Sequence, residues 1–77
     1  MSNQLNENQL RVLRIFHLTQ KIGLGRSAIY DRLDPQSPRH DPTFPQPINL
    51  GGRAVGFVEA EVDAWLASQI KKSRPQA

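Results

Sequence analysis

The stretch IGLGRSAIYDRLDP, residues 22–35, decides how this chain folds. Gly23 is the residue type that ends helices most readily, because it adopts a left-handed backbone without steric cost. A helix from Phe16 to Ile22 therefore stops there, with Leu18 and Ile22 four residues apart on one face. After Gly23-Leu24-Gly25 a second helix is expected from Arg26 to Leu33, with Gly25 as a second-rank N-cap. At about 100° per residue, Ala28, Ile29 and Leu33 gather on one side of it. Ser27, Tyr30 and Asp31 lie opposite, and Arg26 stands on the flank. Asp34-Pro35 ends the helix, since proline disfavours helical backbone in the residue before it. Two short helices joined by a glycine-containing turn form the helix-turn-helix pattern.

Downstream, residues 34–48 (DPQSPRHDPTFPQPI) hold five of the six prolines. Prolines stiffen such a loop, and Phe44 is expected to anchor it in the core. Ile48-Asn49-Leu50 and Val55-Gly56-Phe57-Val58 then flank Gly51-Gly52-Arg53-Ala54, which reads as a β-hairpin with a tight turn. From about Glu59, the spacing of Val62, Trp65, Leu66, Gln69 and Ile70 predicts a third, amphipathic helix. Glu59, Glu61 and Asp63 in its opening turns and Lys71 and Lys72 at its end complement the helix dipole. Upstream, Arg11–Ile15 reads as a short strand or extended entry. The expected organisation is a disordered lead-in over residues 1–10, a folded domain over 11–70 and a basic tail over 71–77. The fold class is α+β: three helices and a β-hairpin, the winged form of the helix-turn-helix.

Composition narrows the function. At 77 residues the chain is one domain or less than one, and a domain so small buries only about 60% of the surface its unfolded form exposes. With no cysteine, disulfides and thiolate metal sites are excluded, which fits a reducing cytoplasm. No apolar run approaches the roughly 20 residues of a membrane span, and no charged-then-apolar leader opens the chain, so neither membrane nor export is expected. Ten Lys and Arg against seven Asp and Glu give a net charge of +3 and a pI near 10.0, a lean toward a polyanionic partner.

No catalytic constellation stands out. His17 and His40 have no acidic or thiol partner at ligand spacing and read as solvated histidines. Glu59 and Glu61 read as dipole-complementing carboxylates, and Gly51-Gly52 lacks the helix and lysine of a phosphate loop. No enzyme activity, metal, cofactor or small-molecule ligand is expected. Nucleic acid suits the chain better. Arg26 can fork onto guanine, and Ser27 and Tyr30 can bond bases or phosphates beside the helix N-terminus. Asp31 can accept from a cytosine amino group but also repels phosphate. The same face also suits a plain solvated helix surface, and spacing alone leaves both readings open. Arg32 lies about 40° from the apolar centre, so its stem packs and it reads as a phosphate-contacting or structural arginine. Arg53, at the hairpin tip, is placed for a phosphate or the minor groove.

Three segments in this order, IGLGRSAIY (22–30), FPQPINLGGRAV (44–55) and VEAEVDAWL (58–66), resemble the AlpA family of short phage and prophage transcriptional regulators. That family is similar to excisionases and to the DNA-binding part of MerR-type proteins. The resemblance implies a winged helix-turn-helix that binds double-stranded DNA in the cytoplasm, at the nucleoid, and acts on an integrase or excision module. It implies DNA contacts from Arg26, Ser27 and Tyr30 on the second helix and from Arg53 on the wing. Family members usually carry serine where Gly25 stands, and position 31 is often basic or variable, so Gly25 and Asp31 are this chain's departures from the pattern. One such domain has a small footprint, so dimers or tandem sites are expected. Two alternatives stay open: an architectural factor that bends DNA, and a protein-interaction adaptor that has lost DNA binding.

Overall fold

The computed structural model describes residues 10–74. Its elements run β1 (Val12–Leu13), α1 (Ile15–Ile22), α2 (Arg26–Leu33), β2 (Ile48–Gly51), β3 (Ala54–Val58) and α3 (Glu59–Ser73). Three helices and a hairpin are what the sequence predicts, in the predicted order. The hairpin is part of a three-stranded antiparallel sheet of order β1-β3-β2, because Val12 and Leu13 pair with Val58 and Phe57. The entry strand is shorter than expected, since Ile15 already belongs to α1. Its Cβ-branched side chain sits one turn before Leu18 and shares the core-facing side of that helix. At the other end α3 runs through Lys71, Lys72 and Ser73, so the basic stretch expected as a tail begins as helix. Of the lead-in expected over residues 1–10, residues 1–9 lie outside the described residues, as do 75–77.

Gly23 closes α1 in the left-handed conformation (φ 75°), and its N–H donates to the Thr19 carbonyl at 2.9 Å. This is the αL cap that satisfies an orphan carbonyl at a helix end, and it turns the chain sharply into α2. In the hairpin, Gly52 carries the positive φ (55°) that the first position of a tight two-residue turn requires, and Gly51 (φ 115°) sits at the adjoining bulge. A bulge between Asn49 and Gly51 is held by the Gly51 N–H donating to Asn49 Oδ1 at 2.6 Å.

The core draws on nearly every element: Leu18 from α1, Ile29 from α2, Phe44 from the proline loop, Phe57 from β3, and Val62 and Trp65 from α3. Phe44 is buried, as expected of a loop anchor. Its ring meets Trp65 edge-on at 4.9 Å and Phe57 edge-on at 6.5 Å, the geometry that aromatic quadrupoles favour. Along α3 the predicted stripe is only partly buried: Val62 and Trp65 are inside, Leu66 is half-buried, and Ile70 is 49% exposed. Among the described residues, the helix outruns the surface it packs on, which leaves its last apolar position half covered.

The proline loop is three successive turns built on one recipe. Asp34-Pro35, Ser37-Pro38 and Asp41-Pro42 each place proline at the second turn position, where its fixed φ belongs. Each preceding side chain accepts the N–H two residues on: Gln36 to Asp34 Oδ1 at 2.9 Å, Arg39 to Ser37 Oγ at 3.1 Å, and Thr43 to Asp41 Oδ1 at 2.8 Å. Backbone bonds from Ser37, His40 and Phe44 close the same turns. The loop is then fastened to two helices. The Arg32 carbonyl at the end of α2 accepts the Asp41 N–H and bonds His40 Nδ1, both at 2.9 Å. Asp41 Oδ2 accepts the indole N–H of Trp65 at 3.0 Å. His40 is therefore a half-buried structural residue, not the solvated one expected; His17 is exposed. Sequence gave no sign of His40's role, because its partner is a backbone carbonyl eight residues away.

The hydrogen bond from the Thr43 hydroxyl, with further ones from the Trp65 indole and the Thr43 amide and attraction from Lys72, holds the Asp41 carboxyl below its ordinary range; partial burial opposes this. A carboxylate with a depressed native pKa adds stability above its unfolded-state pKa and loses it as pH falls through the native value. Denaturant titrations from pH 7 into the acid range should show the stability gap between wild type and Asp41→Asn narrowing as pH falls. A constant gap would mean that the charge on Asp41 is irrelevant. Trp65→Ala should cost about 3–5 kcal/mol, as aromatic truncations in cores do. A thermal melt matching wild type would overturn the packing described here.

Candidate nucleic-acid interface

Helix α2 turns one side into the core through Ile29, with Ala28 and Leu33 half-buried beside it. Its other side carries Ser27 and Tyr30, with Arg26 on the flank, all three exposed, the tyrosine at 51%. Among the described residues no ion pair engages Arg26. Gly25 caps the helix in extended conformation with no side-chain hydrogen bond, so no capping hydroxyl occupies the first amide groups of α2. The face predicted from spacing is thus brought together on one open surface.

The two remaining α2 candidates are occupied. Asp31 is half-exposed and lies 3.6 Å from the Arg39 guanidinium of the proline loop. Arg32 is half-buried, and its Nη1 donates to the Ala28 carbonyl one turn back at 2.9 Å. That geometry agrees with a structural arginine whose stem packs along its own helix. Arg53 stands exposed in the hairpin turn, with no ion-pair partner among the described residues.

Behind this surface a second charge cluster holds α1 to α3. Lys21 Nζ bonds Glu59 at 2.8 Å and Asp63 at 2.9 Å, and Arg11 lies 3.6 Å from Glu59. The hydrogen bond to Glu59, then the one to Asp63, raises the Lys21 pKa above its ordinary value. The opening carboxylates of α3 therefore do more than complement a dipole: they fix the angle of the helix that precedes the turn. Sequence reasoning missed this cluster and Arg39, whose partners are distant in the chain. The Asp-Pro and Ser-Pro steps were the one local signal that the loop is ordered by its own side chains.

A glycine turn between two short helices, an open polar face on the second and a hairpin carrying an arginine at its tip define a small winged helix-turn-helix domain. Residues 11–70 match the family model described as Prophage CP4-57 regulatory protein (AlpA). The chain belongs to the AlpA family of prophage regulatory proteins. It is 47% identical over 66 residues to the DNA-binding transcriptional activator AlpA of Escherichia coli (strain K12), covering 86% of this chain and 94% of the relative. It is 38% identical over 64 residues to the uncharacterized protein ORF88 of Enterobacteria phage P4, covering 83% of this chain and 62% of the relative. No solved structure matches it significantly. Among the described residues, no helix is long and apolar enough to cross a membrane.

Proposed function

We propose that this protein is a sequence-specific, double-stranded DNA-binding transcriptional regulator of a prophage integrase or excision module. The observation that carries the reading is the exposed Arg26-Ser27-Tyr30 surface at the uncapped N-terminus of α2, in a family whose Escherichia coli member is a DNA-binding activator. In this reading α2 enters the major groove. Arg26 forks onto guanine O6 and N7, while Ser27, Tyr30 and the first amides of α2 take phosphate or base edges. Arg53 on the wing lies along the adjacent backbone or minor groove. Arg32 supports the helix from within and meets DNA only at a phosphate. The domain works without a metal, cofactor or small-molecule effector, in the cytoplasm where its DNA is. A single copy covers too short a site for tight binding, so dimers or tandem copies share an operator.

Binding titrations of the full chain, against the cognate site and each single-base variant of it, test this reading. Arg26→Ala should lose about 1–3 kcal/mol on the cognate site and relax preference at one base position, with a much smaller loss on random DNA. Arg53→Ala should weaken specific and random DNA by similar factors and reduce the salt slope by about one. Uniform loss across all variants for Arg26→Ala would demote it to a phosphate contact. Absence of any salt-dependent binding by wild type would favour a protein-interaction adaptor.

A further inference from the structure

We infer that Arg39 of the proline loop is a third DNA-contacting arginine, and that Asp31 is the residue that positions it. The inference rests on α2 being the helix that meets DNA. Helical geometry places Asp31 one turn beyond Ser27 on the same face, next to Tyr30. The Arg39 guanidinium lies 3.6 Å from that carboxylate, so Arg39 adjoins the face that carries Ser27 and Tyr30.

The backbone of Arg39 is fixed from both sides. Its own N–H donates to Ser37 Oγ at 3.1 Å, and the next two residues, His40 and Asp41, are bonded to the Arg32 carbonyl. A long side chain on so constrained a backbone loses less freedom when it binds. The contact to Asp31 is a single loose one, 3.6 Å from Nη1 to Oδ2, and the Arg39 side chain is 71% exposed. Guanidinium offers five donors in a planar fork, so most remain free for a phosphate while one edge faces Asp31. This arrangement accounts for a carboxylate on a surface that should repel DNA. Asp31 directs a cation outward along the face, and the pair presents no net negative charge to the backbone.

Salt-dependent titrations of the full chain separate the possibilities. Arg39→Ala should weaken cognate and random DNA alike, by about three- to tenfold at moderate salt, and lower the slope of log affinity against log salt by about one. Arg39→Lys keeps the charge and should keep the slope. Asp31→Asn should raise affinity clearly in the Arg39→Ala background, where only repulsion remains. In wild type it should raise affinity less or lower it, because it also releases Arg39. Asp31→Glu should behave like wild type. An unchanged slope for Arg39→Ala, or an equal effect of Asp31→Asn in both backgrounds, would overturn the inference. With Arg26→Ala run in parallel, loss of base preference there beside an unchanged slope for Arg39→Ala would sink this inference alone. A wild-type chain with no salt-dependent binding would sink it together with the reading on which it rests.

Discussion

The carboxylate of Asp41 is the point through which the proline loop becomes part of the domain. One oxygen organises the turn through Thr43 and the other receives the Trp65 indole, while the backbone amide of the same residue ends on α2. A buried indole N–H without a partner is costly, so burying Trp65 requires an acceptor at that place. With Asp41 supplying it, Phe44 three residues later is set against the Trp65 ring. The last turn of α2, the loop and the middle of α3 are then a single packed unit. A core this small has little surplus with which to tolerate loss of such a node.

The outward face of α2 is positioned by the same interactions, although none of them lies on it. Ile29 fixes the rotation of the helix, the Gly23 turn fixes its start, and the Arg32 carbonyl fixes its end through two bonds to the loop. The Lys21 cluster holds α1, and so the approach to the turn, against the opening of α3. Tyr30 and Arg26 are long side chains on a short helix, and their placement is only as precise as these supports. The design puts rigidity behind the surface and leaves the surface itself open.

Much of this was legible in the residues. Gly23 and Gly25 marked the turn, Asp34-Pro35 the end of α2, Gly51-Gly52 the hairpin, and the spacing of Val62 and Trp65 the third helix. All of these are local signals, carried by backbone preference or by periodicity within one element. What escaped were pairings between distant positions: Val12 with Val58, Lys21 with Glu59, Trp65 with Asp41, Asp31 with Arg39. Periodicity carries no information about which loop a helix will meet, and a carboxylate at a helix start looks the same whether or not a lysine reaches it. Ile70 erred in the other direction, since apolar spacing says that a face exists and not how far the rest of the domain extends to cover it.

The order in which the core residues occur along the chain has a consequence for synthesis. Leu18 and Ile29 leave the ribosome early, Phe44 and Phe57 later, and Val62 and Trp65 last. Until α3 has emerged, the aromatic cluster lacks Trp65, and Asp41 has no indole N–H to accept. The strand Val12–Leu13 must meanwhile wait for β3, more than forty residues downstream, before its edge is paired. The polar face of α2 is therefore synthesised before the residues of β3 and α3 that hold it in shape.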